Sequence, residues 1–219
     1  MDVIYQGKNT SNNGVHLGGV IGISSTASGK TAPAYTNSSY PTWTGNVINT
    51  GTIKFAGEIG GNVRMGGFCG LMNAGVAPSG AYLINFGDLE ASGTAANMEN
   101  TQVGGIVGGL VVPLENTQSY CNIKALGWEK VGLITGVTRT SGKPFALNAK
   151  VGGTICNTVK FNGDTFQDEP VVITLDASNY TDHIYGSADW TGVEGFDGCS
   201  FLTSKDAVTY YPVAETPAE

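Results

Sequence analysis

Thiols, imidazoles and carboxylates are the groups through which this chain could do covalent or acid–base chemistry, so their spacing is read first. Cys69, Cys121, Cys156 and Cys199 lie far apart, with no Cys-x-x-Cys pair and no histidine near them in sequence. That pattern does not supply a zinc site. The four read as free thiols buried as small hydrophobes rather than as disulfides. A nucleophilic cysteine needs a base beside it, and neither His16 nor His183 has a sequence relation to any of the four. Both histidines read as structural or solvated.

Carboxylates would serve polysaccharide chemistry, which needs two of them facing one cleft, or several holding calcium beside a basic residue. Glu58, Asp88, Glu90, Glu99, Glu115 and Glu129 are scattered. Asp88 and Glu90 share a strand face, but the aligned pairs are Thr52/Lys54 and Asn122/Lys124, so no acidic wall builds up. Lys54, Glu90 and Lys124 instead form an alternating-charge ladder on an outer face. Asp164, Asp168, Glu169, Asp182, Asp189, Glu194 and Asp197 crowd the C-terminal region without the spacing of a calcium loop and read as a solvated face. No metal and no cofactor is expected. Ser24–Thr31 ends like a phosphate loop, and Val171–Asp176 mimics the apolar strand that accompanies one. Ser24 stands where the leading glycine belongs, however, and no helix-forming run follows Thr31 to hold phosphates. Gly104–Gly108 fails as a dinucleotide fingerprint for the same reason. Binding is the better-supported chemistry. Tyr35, Tyr40 and Trp43 in one stretch, and Tyr180, Tyr185 and Trp190 in another, offer aromatic faces beside Asp, Asn and Ser. Such faces suit sugar stacking or protein contact; alternatively, the same rings cover the ends and sides of the fold.

The elements that must position these groups follow from composition and repetition. Glycine supplies 33 of 219 residues, about twice the usual ~7%, while 13% charged residues is about half the usual ~25%. Each interior glycine costs a helix ~1 kcal/mol, so an all-β, turn-rich protein is expected. A 41% apolar content with a net charge of -7 argues against disorder. A pI near 4.7 without a basic cluster argues against nucleic acid, and no run of ~18 apolar residues offers a membrane span. Met1–Gly7 lacks the regions of a signal peptide, which suits a cytoplasmic home but equally the start of a mature protein or of a domain of a longer one.

Two short patterns recur in alternation. The first reads Gly51–Gly57, Gly87–Gly93 and Cys121–Gly127, with a frayed copy at Gly153–Asn157; its anchors Ile53, Leu89, Ile123 and Ile155 are 36, 34 and 32 residues apart. The second reads Leu17–Gly22, Met65–Gly70, Val103–Gly108 and, weakened, Val131–Gly136. A third apolar run precedes the first pattern, as Val47-Ile48, Tyr82-Leu83-Ile84 and, poorly, Tyr120. Each strand is short and buries one face, which no single unit can cover alone. Stacking equivalent strands ~4.8 Å apart in parallel makes the four anchors one apolar ladder. This predicts a β-solenoid: a right-handed parallel β-helix of about four coils with a C-terminal β cap. An antiparallel sandwich also offers many short strands, but leaves the recurrence in register unexplained.

At Gly18–Gly22, Gly66–Gly70 and Gly104–Gly108, alternating with Asn49–Ile53 and Asn85–Leu89, the chain resembles GLUG-type repeats of large bacterial surface and secreted proteins, adhesins among them. The resemblance covers roughly residues 14 to 159. Ser119, Cys121 and Leu133 depart from it where the pattern wants Asn, Gly and Gly. It implies a bacterial cell-surface or extracellular setting and a β-helical scaffold, and carries no catalytic residue to this chain.

Charge marks a boundary: residues 1–159 hold nine Lys/Arg and seven Asp/Glu, and residues 160–219 hold two and eleven. The expected organisation is a repeat region with an N-terminal cap over 1–159, an acidic capping region over 160–211, and a tail or linker over 212–219. The expected function is a non-catalytic surface module that binds a host or self glycan or a surface protein, or displays neighbouring domains. A polysaccharide lyase or glycoside hydrolase on the same scaffold is the alternative.

Overall fold

The computed structural model describes residues 1–9, 14–24, 45–73, 82–96, 101–112, 114–138, 146–158, 169–188 and 198–210. Among them the protein is all-β, relieved only by 3-10 turns at Tyr180–His183 and Lys205–Ala207. Among the described residues no helix is long and apolar enough to cross a membrane.

The chain visits its sheets in a recurring order. The first passage supplies β1 (Val3–Tyr5), β2 (Lys8–Asn9), β3 (Val15–Gly18) and β4 (Ile21–Ser24). The second supplies β5 (Val47–Asn49), β6 (Ile53–Phe55), β7 (Glu58–Ile59), β8 (Val63–Gly66) and β9 (Cys69–Met72). The third supplies β10 (Leu83–Asn85), β11 (Leu89–Ala91), β12 (Thr94–Ala95), β13 (Gln102–Gly104) and β14 (Val107–Leu110). Then come β15 (Leu114–Glu115), the long β16 (Thr117–Ala125), β17 (Lys130–Gly132), β18 (Thr135–Thr138), β19 (Ala146–Leu147) and β20 (Lys150–Asn157). Last are β21 (Val171–Thr174), β22 (Tyr185–Ala188) and β23 (Ser200–Phe201). Each strand pairs in parallel with its equivalents in neighbouring passages; among the described residues only β21 on β20 is antiparallel.

The repeat anchors stand in register. Ile53 faces Leu89, Leu89 faces Ile123, and Ile123 faces Ile155, all buried at 0–1% exposure. Leu17, Met65, Val103 and Val131 form a second inward column. Tyr5 stacks on Phe55 at 5.5 Å between ring centroids. Past it, Ala91 and Ala125 occupy the same column, and the fully buried Trp128 reaches Phe55 edge-on at 5.7 Å. Small residues thus make room for one large ring, as close packing requires.

The asparagines of the Asn-x-Gly blocks bind the backbone of the bend that follows. Asn49 and Asn85 each donate from Nδ2 to the carbonyl two residues on, at 3.1 and 3.0 Å, and accept the amide N–H of Gly51 and Gly87. Asn49 also donates to Asn85 at 2.8 Å, joining successive passages. A Cβ on Gly19 would lie 2.6 Å from the Asn49 side chain, and one on Gly105 would strike the Ser119 hydroxyl, so these glycines let the polar ladder pass. Ser119 faces Val151 in β20, and there Leu133 takes the place of the glycine. The departures from the repeat therefore coincide with the end of that ladder.

One expectation needs correction. Tyr120 is not the equivalent of the third apolar run: Thr117 and Gln118 face Leu83 and Ile84. A polar residue is tolerated in this column because the C-terminal segment crosses over it. Gln118 donates to the Thr209 carbonyl at 2.6 Å and accepts the Thr209 N–H at 2.8 Å. Ile84, Leu202 and Val208, with Tyr82, Phe86 and Tyr120 packed against them, form a second apolar cluster under this strap.

Candidate functional site

The parallel register places polar side chains in columns on the outer face of the largest sheet. One column runs through Asp2, Thr52, Asp88, Asn122 and Thr154, each just before an inward anchor. Asp2 accepts the Thr52 amide at 2.9 Å; Asp88 accepts the Asn122 amide and side-chain N–H at 2.9 and 3.0 Å. Asn122 in turn accepts the Thr154 hydroxyl at 2.7 Å. The next column holds Lys54, Glu90 and Lys124 in the expected alternation, with Lys54 Nζ 2.7 Å from Glu90. These carboxylates are spent on holding the face together.

Around the bend, β2, β7 and β12 form a three-stranded sheet bordering a groove of about 330 Å³. Asn9, Glu58, Gly60, Thr94 and Ala96 line it, above the core residues Ile59 and Ala95. Glu58 is the one carboxylate among the described residues of that lining, and it is ion-paired to Lys8 at 2.9 Å. A groove of this composition offers hydrogen-bond donors and acceptors beside apolar surface, the pairing that recognises a polar ligand. Sequence reasoning did not find it, because its strands are two residues long and carry no periodicity.

Tyr35, Tyr40, Trp43 and Trp190 lie outside the described residues. Tyr180 is half-buried against the core, its ring 6.1 Å from Phe201 and its hydroxyl donating to the Cys199 carbonyl at 3.3 Å. Tyr185 stands on β22, 37% exposed, facing Thr135. Asp164, Asp168, Asp189, Glu194 and Asp197 also fall outside the described residues, while Glu169 and Asp182 are exposed. Asp176 is held below the usual carboxylate range by hydrogen bonds from the Ser178 hydroxyl and amide and the Asn179 amide.

All four cysteines are free, Cys69 and Cys121 buried and the other two half-buried. Burial pushes the Cys121 thiol up to about 11 and the Cys199 thiol up to about 12, so both are protonated at neutral pH. Burial, aided by the charge of Arg64, lowers His16 to about 4, and burial lowers His183 against the opposing charge of Asp182. Among the described residues no group of three or more His, Cys, Asp and Glu side chains could hold a metal ion. No family model matches the chain, and no curated protein or solved structure matches it significantly.

Proposed function

We propose that this chain is a right-handed parallel β-helix module of a bacterial surface or secreted protein, and that it binds a glycan or protein partner without catalysis. The observation that carries the reading is the register: repeat anchors from four passages face one another, and their neighbours form solvent-facing ladders of Thr, Asn, Asp, Lys and Glu. Such a surface is rigid and regular, and recognition on it loses little conformational entropy. The GLUG-like pattern supports the setting, and the groove beside β7 supplies the place of contact. The groove favours binding over hydrolysis because Glu58, ion-paired to Lys8, meets no second carboxylate among the described lining residues.

The test is a glycan array with the full chain, read for binding and for release of shorter saccharides, beside a Thr94→Arg variant that fills the groove. Saturable binding lost in the variant is expected. Released products would replace this reading with the enzymatic one. Binding to no glycan would remove the sugar ligand, and a protein partner would then have to be captured through the same groove.

A further inference from the structure

The strands at the start of the sheets differ from those that follow. Val3, Ile21 and Val47 are half-exposed, whereas their register partners Ile53, Cys69 and Leu83 are buried. Ile23 and Ile48 are 46% and 43% exposed, and their partners Leu71 and Ile84 are 8% and 2% exposed. Ile4 and Val20 lie open beside them. Among the described residues β1, β3, β4 and β5 each pair with one strand only, so the other edge of each has no ladder partner among those residues. Natural edges are blunted by proline, by bulges or by charged side chains; these four strands contain no proline and no Asp, Glu, Lys or Arg.

We propose that this edge is the interface of a two-fold symmetric dimer, occupied by a second copy of the same chain. Size supports that occupant: of residues 1–9, 14–24 and 45–50, 23 are at least partly exposed, and one side of a standard interface uses ~20–30 residues and ~800 Å². Charge supports it too. The described edge carries two charged side chains, Asp2 and Lys8, the latter paired with Glu58, and His16 is neutral at physiological pH. A copy therefore meets little like-charge repulsion there, whereas residues 160–219, with two cations against eleven acids, would repel their own copy. Closure is the third reason. At the far end β20 is already covered, antiparallel by β21 and in parallel by β23. Head-to-tail stacking would find its largest sheet interrupted, while edges related by a two-fold axis meet antiparallel and the assembly stops at two.

Sedimentation velocity on the full chain across a concentration series tests this. The expected species has twice the 22.6 kDa chain mass. Ile23→Lys combined with Ile48→Lys reduces it to monomer with the β-sheet circular dichroism unchanged, and Val172→Lys, on exposed β21, leaves it dimeric. A monomer at every concentration overturns the proposal, as does a dimer that survives the double variant, or larger assemblies broken by Val172→Lys. Should the double variant not fold, amide exchange of the unmodified chain decides. Protection of Val3–Tyr5 and Ile21–Ser24 that rises with concentration supports the dimer, and protection independent of concentration refutes it.

Discussion

Val3 and Leu89 occupy the same column of one sheet, two passages apart, yet Val3 is half-exposed and Leu89 has no exposed surface. The same contrast separates Gly22 from Gly108. A Cβ on Gly22 would come no closer than 3.1 Å to any atom, the nearest being the His16 carbonyl oxygen, whereas on Gly108 it would lie 2.6 Å from both the Gly70 oxygen and the Met65 nitrogen. A repeat position has no fixed energetic weight. What it contributes depends on how many neighbouring passages cover it.

The contrast can be broken most strongly at the core. Leu89→Ala is expected to destabilise the fold by about 4 kcal/mol and Val3→Ala by about 1 kcal/mol, because only the interior site leaves a cavity that cannot collapse into solvent. Chemical denaturation of both variants checks this; equal losses would mean that the first passage is as well packed as the third. The glycine pair comes next. Gly108→Ala is expected to lose about 3 kcal/mol, since rigid backbone faces the new methyl, and Gly22→Ala no more than about 1 kcal/mol. Thermal melts of the two proteins measure the difference.

Protonation sharpens the comparison at the edge. The folded pKa of His16, about 4, lies below the unfolded value near 6.5, so the folded state favours the neutral imidazole. The sign follows from linkage: this stabilisation is complete above pH 6.5 and is lost as pH falls through the window down to about 4. The melting temperature of the native chain should therefore fall more steeply across that window than that of His16→Gln. Parallel curves would show that burial and Arg64 do not perturb this imidazole. The smallest effect is expected at the outer face, where both partners of the Lys54–Glu90 pair are solvated, 37% and 42% exposed. Lys54→Ala should change stability by less than about 1 kcal/mol, a difference that shrinks further in high salt.

Much of the arrangement was legible because parallel pairing preserves spacing. Four anchors 36, 34 and 32 residues apart predict one ladder, and the register aligns them. The Lys54, Glu90, Lys124 alternation was readable for the same reason. The third apolar run was misplaced at Tyr120 because Gln118 is satisfied by Thr209, 91 residues away, and no local pattern carries that bond. The groove escaped notice because Asn9, Glu58 and Thr94 come from three two-residue strands. Tyr180 could be read from sequence as a binding ring or a covering one; its contacts with Cys199 and Phe201 show it packed and hydrogen-bonded within the C-terminal region.

Sequence by itself determined the all-β class, the strand anchors and the glycines at the bends, since alternation and repetition are local properties that the chain carries along its length. The tertiary structure alone decided which copy of each repeat is covered, which carboxylates are neutralised and where a groove opens. Those properties depend on neighbours brought together from distant passages, and burial belongs to the packed assembly rather than to any residue in it.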